Sequence, residues 1–291
     1  MKIMRLNGFW MFLVLMASFG CVKNNKDYAY IEVSSWDLIA NPNSVYNVGE
    51  LTHNFSDAYL YVDDDLIGIF EVPFKVPVLK EGSVNVKLYP AIRNNGISAT
   101  KKLYPFVKFY EENIVLTHGG TAQINPKTSY QSPTKFWIED FEDASIKITN
   151  DPNSNALMTA GNDPAILQWG NFYGDVQLTT LNNLWVGVTN SSLNLPKGSE
   201  VYLELNYRNS NSLITGLLAS SSTGGVAEYI NIQVNAQDPN QLAWKKIYID
   251  LKELVSNSGP ANVFEQFFKA ELNAGKTDAS VQLDNIKVVY F

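Results

Sequence analysis

With 291 residues, 22 Lys and Arg against 29 Asp and Glu, a net charge of −7 and a single Cys, the chain has room for two ordinary domains and no means of forming an internal disulfide. An acidic balance without a Lys/Arg cluster argues against nucleic acid or an anionic lipid surface as partner. No apolar run reaches the roughly 18 residues of a membrane-spanning helix.

The first 21 residues read MKIMRLNGFWMFLVLMASFGC: two cations, an apolar run from Phe9 to Phe19, then small residues and the cysteine. This is the three-part layout of a secretory signal peptide, expected over residues 1–20. Removing its two cations takes the net charge from −7 to −9. Ser18, Phe19 and Gly20 ahead of Cys21 resemble a bacterial lipobox, which implies cleavage before Cys21, acylation of its thiol, and a membrane anchor without a spanning helix. Residues 21–27 form a short polar tether. Val22 after the cysteine is the lipoprotein pattern that implies the outer membrane, and the nearby Lys and Asp resemble the charged export tags of Bacteroidota lipoproteins.

From Tyr28 the pattern is β. Residues 29–34 alternate, and Ala58–Val62 and Leu66–Phe70 flank the acidic turn Asp63-Asp64-Asp65, which reads as a hairpin. Pro73 and Pro77 mark an edge or crossing segment. Ser83–Tyr89 alternates again, Asn94-Asn95-Gly96 is a strong turn signal, and Leu103–Tyr110 is expected to be a strand. The pieces Tyr61–Asp64, Pro77–Leu79, Asn94–Ser98 and Tyr104–Phe106 resemble a domain common in Bacteroidota lipoproteins, and the hairpin is similar to PEGA-type surface modules. The resemblance implies a small antiparallel β-sandwich over 28–120 and carries no catalytic motif.

Residues 121–135 are rich in polar and turn-forming types and are expected to be an extended linker, with Ile124 and Tyr130 laid against a neighbouring surface. A second β region, 136–291, has strand-like runs at 165–169, 184–189, 200–208, 228–234 and 245–251, and one short helix over 250–256 before Gly259-Pro260. In 201–208, Tyr202, Glu204, Asn206 and Arg208 alternate with Val201, Leu203, Leu205 and Tyr207, a half-buried strand. Short strands at this spacing predict a double-sheet sandwich. The opening Asp140-Phe141-Glu142, the stretch Trp244–Leu251 and the terminal Leu283–Val288 resemble galactose-binding-like jelly rolls, which include many carbohydrate-binding modules. The expected fold class is therefore all-β, a small sandwich followed by a jelly roll.

The resemblance also implies a structural Ca²⁺ where first and last strands meet, with Glu142 and Asp284 as ligands; a solvated acidic edge is the alternative. Zinc is not expected, because His53 and His118 have no partners at ligand spacing. No nucleophile elbow, zinc-protease, phosphate-loop or dinucleotide motif is present. Sugar binding needs only an aromatic face and planar polar groups, for which Trp169, Asn171, Phe172, Tyr173 and Asp175 are the candidates, with Asn209–Asn211 able to add contacts. Against this, Trp169 would be core, as Trp137, Trp185 and Trp244 are expected to be. The reading is a non-enzymatic, lipid-anchored outer-membrane protein whose jelly roll binds glycan or cell-surface material. The alternative is an accessory subunit of an envelope protein assembly.

Overall fold

The computed structural model describes residues 28–221 and 225–291. The leader, the tether and Cys21 lie outside the described residues. The first ten strands are β1 (Ala29–Val33), β2 (Asp37–Leu38), β3 (Asp57–Val62), β4 (Asp65–Glu71), β5 (Phe74–Val78), β6 (Gly82–Arg93), β7 (Lys101–Leu103), β8 (Tyr110–Leu116), β9 (Thr121–Ile124) and β10 (Lys127–Thr128). They are followed by β11 (Lys135–Glu139), β12 (Ile148–Asn150), β13 (Met158–Gly161), β14 (Tyr173–Thr179), β15 (Leu184–Thr189), β16 (Val201–Asn209), β17 (Leu213–Ser220), β18 (Val226–Val234), β19 (Lys245–Asp250), helix α1 (Lys252–Ser256), β20 (Val263–Glu271) and β21 (Asp278–Tyr290). The described residues are all-β apart from α1 and one short 3₁₀ turn, and no helix among them is long and apolar enough to cross a membrane.

In the N-terminal half, a sheet ordered β5-β1-β9 faces one ordered β4-β3-β6-β7, with β8 also on β6. Alternate residues such as Ile31, Leu60, Val86 and Leu88 are fully buried between them. The Asp-rich turn closes β3 onto β4 with Asp63 and Asp64 at positive φ, 51° and 66°, as a two-residue hairpin turn requires. Lys80 pairs with Asp63 and Asp65, and Lys87 with Asp64.

Two expectations change here. Residues 121–128 run back as strands: β9 pairs with β1 and β10 with β2, both in parallel, and Ile124 and Tyr130 are buried. The segment 103–110 is not one strand. It breaks between β7 and β8, where Tyr104 and Phe106 turn inward and pack edge-on against each other and against Tyr202.

The C-terminal half is the jelly-roll sandwich. A sheet ordered β13-β14-β21-β16-β19, with β11 also on β21, packs against one ordered β12-β15-β20-β17-β18. Trp185, Phe268, Leu203, Leu205 and Val281 fill the space between, and Trp185 and Phe268 stack with planes 13° apart.

The expected half-buried strand, β16, is buried on both faces. Val201, Leu203 and Leu205 point into the jelly roll, while Tyr202, Glu204 and Asn206 on its other face are covered by the N-terminal half. Tyr248 and Val289, on β19 and β21, join the N-terminal core in the same way.

Among the contacts that tie the halves together are three devices. Glu204 accepts from the hydroxyls of Tyr104 (2.5 Å) and Tyr130 (2.7 Å) and pairs with Lys246 at 2.6 Å. Thr52 donates to Asn206 and accepts from Lys246. Finally, the Asn94-Asn95-Gly96 turn docks on edge strand β19: the Asn95 amide donates to the Tyr248 carbonyl (2.9 Å), and the Asp250 amide donates to Asn95 Oδ1 (2.8 Å). The turn thereby covers an otherwise open strand edge. Gly96 has φ +72° and lies against Ile247, where an added Cβ would sit 3.0 Å from Cδ1.

Candidate functional site

Where the halves meet, a cleft of about 740 Å³ opens beside this junction. One wall comes from the N-terminal half: Leu51 to Asn54 of the segment before β3, Arg93 at the end of β6, and Gly96. The other comes from the jelly roll: Gln168 and Trp169 of the loop before β14, Asn206 and Tyr207 of β16, and Trp244 to Tyr248 along β19.

The aromatic element is a pair. Trp169 and Trp244 are half-buried and meet edge-to-face, ring centres 5.6 Å apart with planes at 67°. The indole N–H of Trp244 donates to the Ile166 carbonyl at 2.6 Å, which holds one ring to the loop that carries the other. Tyr173 lies beneath, 2% exposed, with its ring 6.0 Å from Trp244.

The loop's shape comes from local chemistry. Residues 165–169, expected as a strand, form a turn in which Asp163 accepts the amide of Ala165 through its side chain and those of Ile166 and Leu167 through its carbonyl. Such Asx-type bonding competes successfully with sheet formation. Further on, both Glu142 oxygens are occupied. Oε1 accepts the amides of Asn171 (2.6 Å) and Phe172 (2.9 Å), and Oε2 accepts Asn171 Nδ2 (2.8 Å). Burial alone would raise this carboxyl, but these donors outweigh it and hold the pKa below the usual range. Gly170, at φ +56°, makes the approach possible, because an added Cβ would overlap the Glu142 carboxylate.

Of the five residues expected to contact ligand, only Trp169 lines the cleft. Tyr173 supports it from below. Asn171 and Phe172 spend their amides on Glu142, although the Phe172 ring is 38% exposed. Asp175 lies outside the lining and accepts from Gln177 and Gln282. Asn209 and Asn211 are fully buried and bond to backbone carbonyls. Trp244, expected in the core with Trp185, is instead half-buried in the cleft wall. His53, Asn54 and Arg93 carried no local signal, since each joins the site only through contacts distant in sequence, and Lys245 follows Trp244, which was expected in the core.

The polar lining is unevenly satisfied. His53 stacks on Phe55 at 5.0 Å, and burial, assisted by the Lys246 charge, lowers its pKa, so the ring is neutral at pH 7. Its Nδ1 is buried without a partner, as is Nε of Arg93. The other end of Arg93 pairs with Glu71, 2.8 Å from Nη2. Among the described residues, none of the cleft's lining is Asp or Glu.

An acidic corner lies where β11 meets β21. Asp284 is 2% exposed; Oδ1 accepts the Asn285 amide (2.6 Å) and Oδ2 has no partner. Burial, reinforced by the charges of Glu142, Asp140 and Glu50, pushes its pKa up to about 8. Asn285, at φ 47°, leaves both side-chain polar atoms unpartnered. Unsatisfied buried oxygens beside further acids suit a cation that takes oxygen ligands. Glu142 is committed to the 170–172 loop, and among the described residues no three His, Cys, Asp or Glu side chains come together as a ready metal set. A cation here would therefore rely on Asp284, Asn285 and backbone carbonyls.

No protein-family model matches the chain, and no curated protein matches it. Solved structures do. The CBM22-1 xylan-binding domain of Paenibacillus barcinonensis Xyn10C aligns at 11% identity and TM-score 0.35, over 53% of this chain and 92% of that one. The family 11 carbohydrate-binding module from Clostridium thermocellum, in complex with a β-1,3-1,4-mixed-linked tetrasaccharide, aligns at 16% identity and TM-score 0.35, over 53% and 94%. The enzymatically active domain of bacteriophage CBA120 tailspike protein 4 aligns at 11% identity and TM-score 0.35, over 54% of this chain and 19% of that one. At these scores the likeness assigns neither a ligand nor a family.

Proposed function

We propose that this protein is a glycan-binding, non-catalytic lipoprotein of the bacterial outer membrane, held by acylated Cys21, and that the cleft between its two halves is the binding site. The observation that carries the reading is the Trp169–Trp244 pair, half-buried in a cleft of about 740 Å³ with amide, imidazole and guanidinium groups around it. An indole face excludes water from the apolar face of a pyranose, and planar polar groups fix the hydroxyls. Glycoside hydrolysis needs two carboxyl groups across the bond, and the lining described above offers none, which favours binding over cleavage. On β21, opposite Asn206 of the cleft wall, the buried Asp284 with its unpartnered oxygen supports a structural Ca²⁺ that stiffens the jelly roll.

The second reading, an accessory subunit of an envelope assembly, draws on the exposed apolar strip of the N-terminal half. There Phe109 (43% exposed) stacks on Tyr89 at 4.8 Å beside Leu103 (39% exposed), the kind of surface that protein partners cover.

The test is retention of the purified chain by a panel of soluble and insoluble polysaccharides, with Trp169→Ala as control. The whole chain is needed, because residues 136–291 alone would expose Tyr202, Tyr248 and Val289. Retention lost in the variant supports the glycan reading. Retention equal in both refutes the cleft as the binding site, and retention on no polymer refutes glycan binding and favours the assembly subunit.

A further inference from the structure

The cleft differs in charge from the molecule that carries it. The chain is net negative, at −7, yet Arg93, Lys245 and Lys246 line the cleft and, among the described residues, no acid does. Lys246 is neutralised internally by Glu204 at 2.6 Å, so it does not act on a ligand. Arg93 and Lys245 remain. The ion pair that Arg93 makes runs outward from Nη2 to Glu71, whose side chain is 67% exposed, and a solvated pair of that kind is weak. The inner atom, Nε, is enclosed by protein, whereas the side chain as a whole is 34% exposed, so a ligand in the cleft meets the guanidinium through its exposed part and not through Nε. Lys245 is exposed at the same cleft and makes no ion pair among the described residues. His53, neutral, lines the cleft without adding negative charge.

Taken with the tryptophans, this defines a ligand with two ends: a sugar ring for Trp169 and an anionic oxygen for the Arg93 guanidinium and the Lys245 ammonium. A neutral sugar hydroxyl would meet the Arg93 guanidinium only as an uncharged acceptor. A carboxylate or sulfate on the sugar would make charge-assisted bonds, which are roughly twice as strong. We propose that the cleft selects an anionic saccharide, one bearing a carboxylate or a sulfate, over its neutral counterpart. This rests on the glycan-binding reading above and specifies its substrate class.

Calorimetric titration of the full chain with three sets of oligosaccharides tests it: neutral (xylo- and cello-oligosaccharides), uronate (oligogalacturonate) and sulfated (carrageenan fragments). The expected result is binding of the uronate or the sulfated set at least tenfold tighter than the neutral one, about 1.4 kcal/mol, with affinity falling as salt rises from 50 to about 300 mM. The arm that binds identifies the anion. Lys245→Gln, at an exposed position, should weaken that binding several-fold and flatten the salt dependence. Arg93→Gln should do the same with larger effect. Neutral oligosaccharides binding as tightly as charged ones, with no salt dependence and no effect of Lys245→Gln, would overturn the anionic selection and leave glycan binding standing. Binding of none of the three sets would overturn both.

Discussion

Glu204 is the residue on which the junction between the halves turns, and removing it is a demanding test of how the structure is held together. Its side chain is 0% exposed, and so is almost all of Lys246, at 3%. Burial on its own would raise the Glu204 carboxyl; the charges of Lys246 and Lys287 outweigh it and keep the pKa below the usual range, so the group is ionised. Glu204→Ala leaves Lys246 as a buried cation without its counter-ion and leaves the hydroxyls of Tyr104 and Tyr130 without their acceptor. Breaking a buried pair from one side costs about 3–5 kcal/mol, and each stranded hydroxyl roughly 1–3 kcal/mol more, less than additively. A loss of about 5 kcal/mol is therefore expected, against a total stability of roughly 5–15 kcal/mol for a folded domain. Urea unfolding followed by tryptophan fluorescence measures it. The companion is Glu204→Gln with Lys246→Met, which removes both charges and keeps an acceptor for the tyrosines. It should recover most of the loss, because a buried pair replaced from both sides is often close to neutral. A Glu204→Ala protein within about 1 kcal/mol of the parent would refute the reasoning, as would a double variant no better than the single one.

Other consequences can be measured alongside. Burial, with the Lys246 charge, pushes Lys287 down to about 7 from an ordinary value of 10.5. Between those values the unfolded chain holds more protons than the native one, so this group's penalty is full below about pH 7 and disappears toward pH 10.5. Stability should then rise with pH across that window by at most about 1.4 kcal/mol per unit; Lys287→Met should lose the rise, and identical pH profiles would contradict the assignment. Gly96→Ala forces a side chain into positive φ against Ile247 and should cost about 1–2 kcal/mol by thermal or urea unfolding, whereas an unchanged midpoint would mean the turn does not clamp β19. If Ca²⁺ sits at Asp284, EDTA should lower the melting temperature of the whole protein and Asp284→Asn should abolish the response; a temperature indifferent to EDTA removes the site. Cys21→Ser should release the protein from membranes, and a variant that still fractionates with them after a carbonate wash rules out the lipid anchor.

Local periodicity determined a large part of this protein. The alternation in 29–34, 58–70, 83–89 and 201–208, with turn residues between, is enough for an all-β chain, because a strand facing a core must alternate with period two. The Asp63–Asp65 hairpin, the short helix near 252–256 and the Asn94–Gly96 turn follow from residue types whose preferences are nearly independent of context.

What only the tertiary structure decided is what covers the far side of each element. Nothing in Tyr202-Glu204-Asn206 distinguishes a solvated face from one sealed by another sheet, because the partners, Tyr104 and Thr52, lie 100 and 154 residues away. The same holds for the tryptophans. Trp185 and Trp244 sit in similar β patterns, yet one is fully buried in the jelly roll and the other opens onto a cleft that exists only because the N-terminal half stands beside β19. The candidate site was half-legible for this reason. Trp169 could be found from its loop, and Lys245 follows Trp244 in the same half, but Arg93 and His53 join them only when two separately patterned sandwiches share a face.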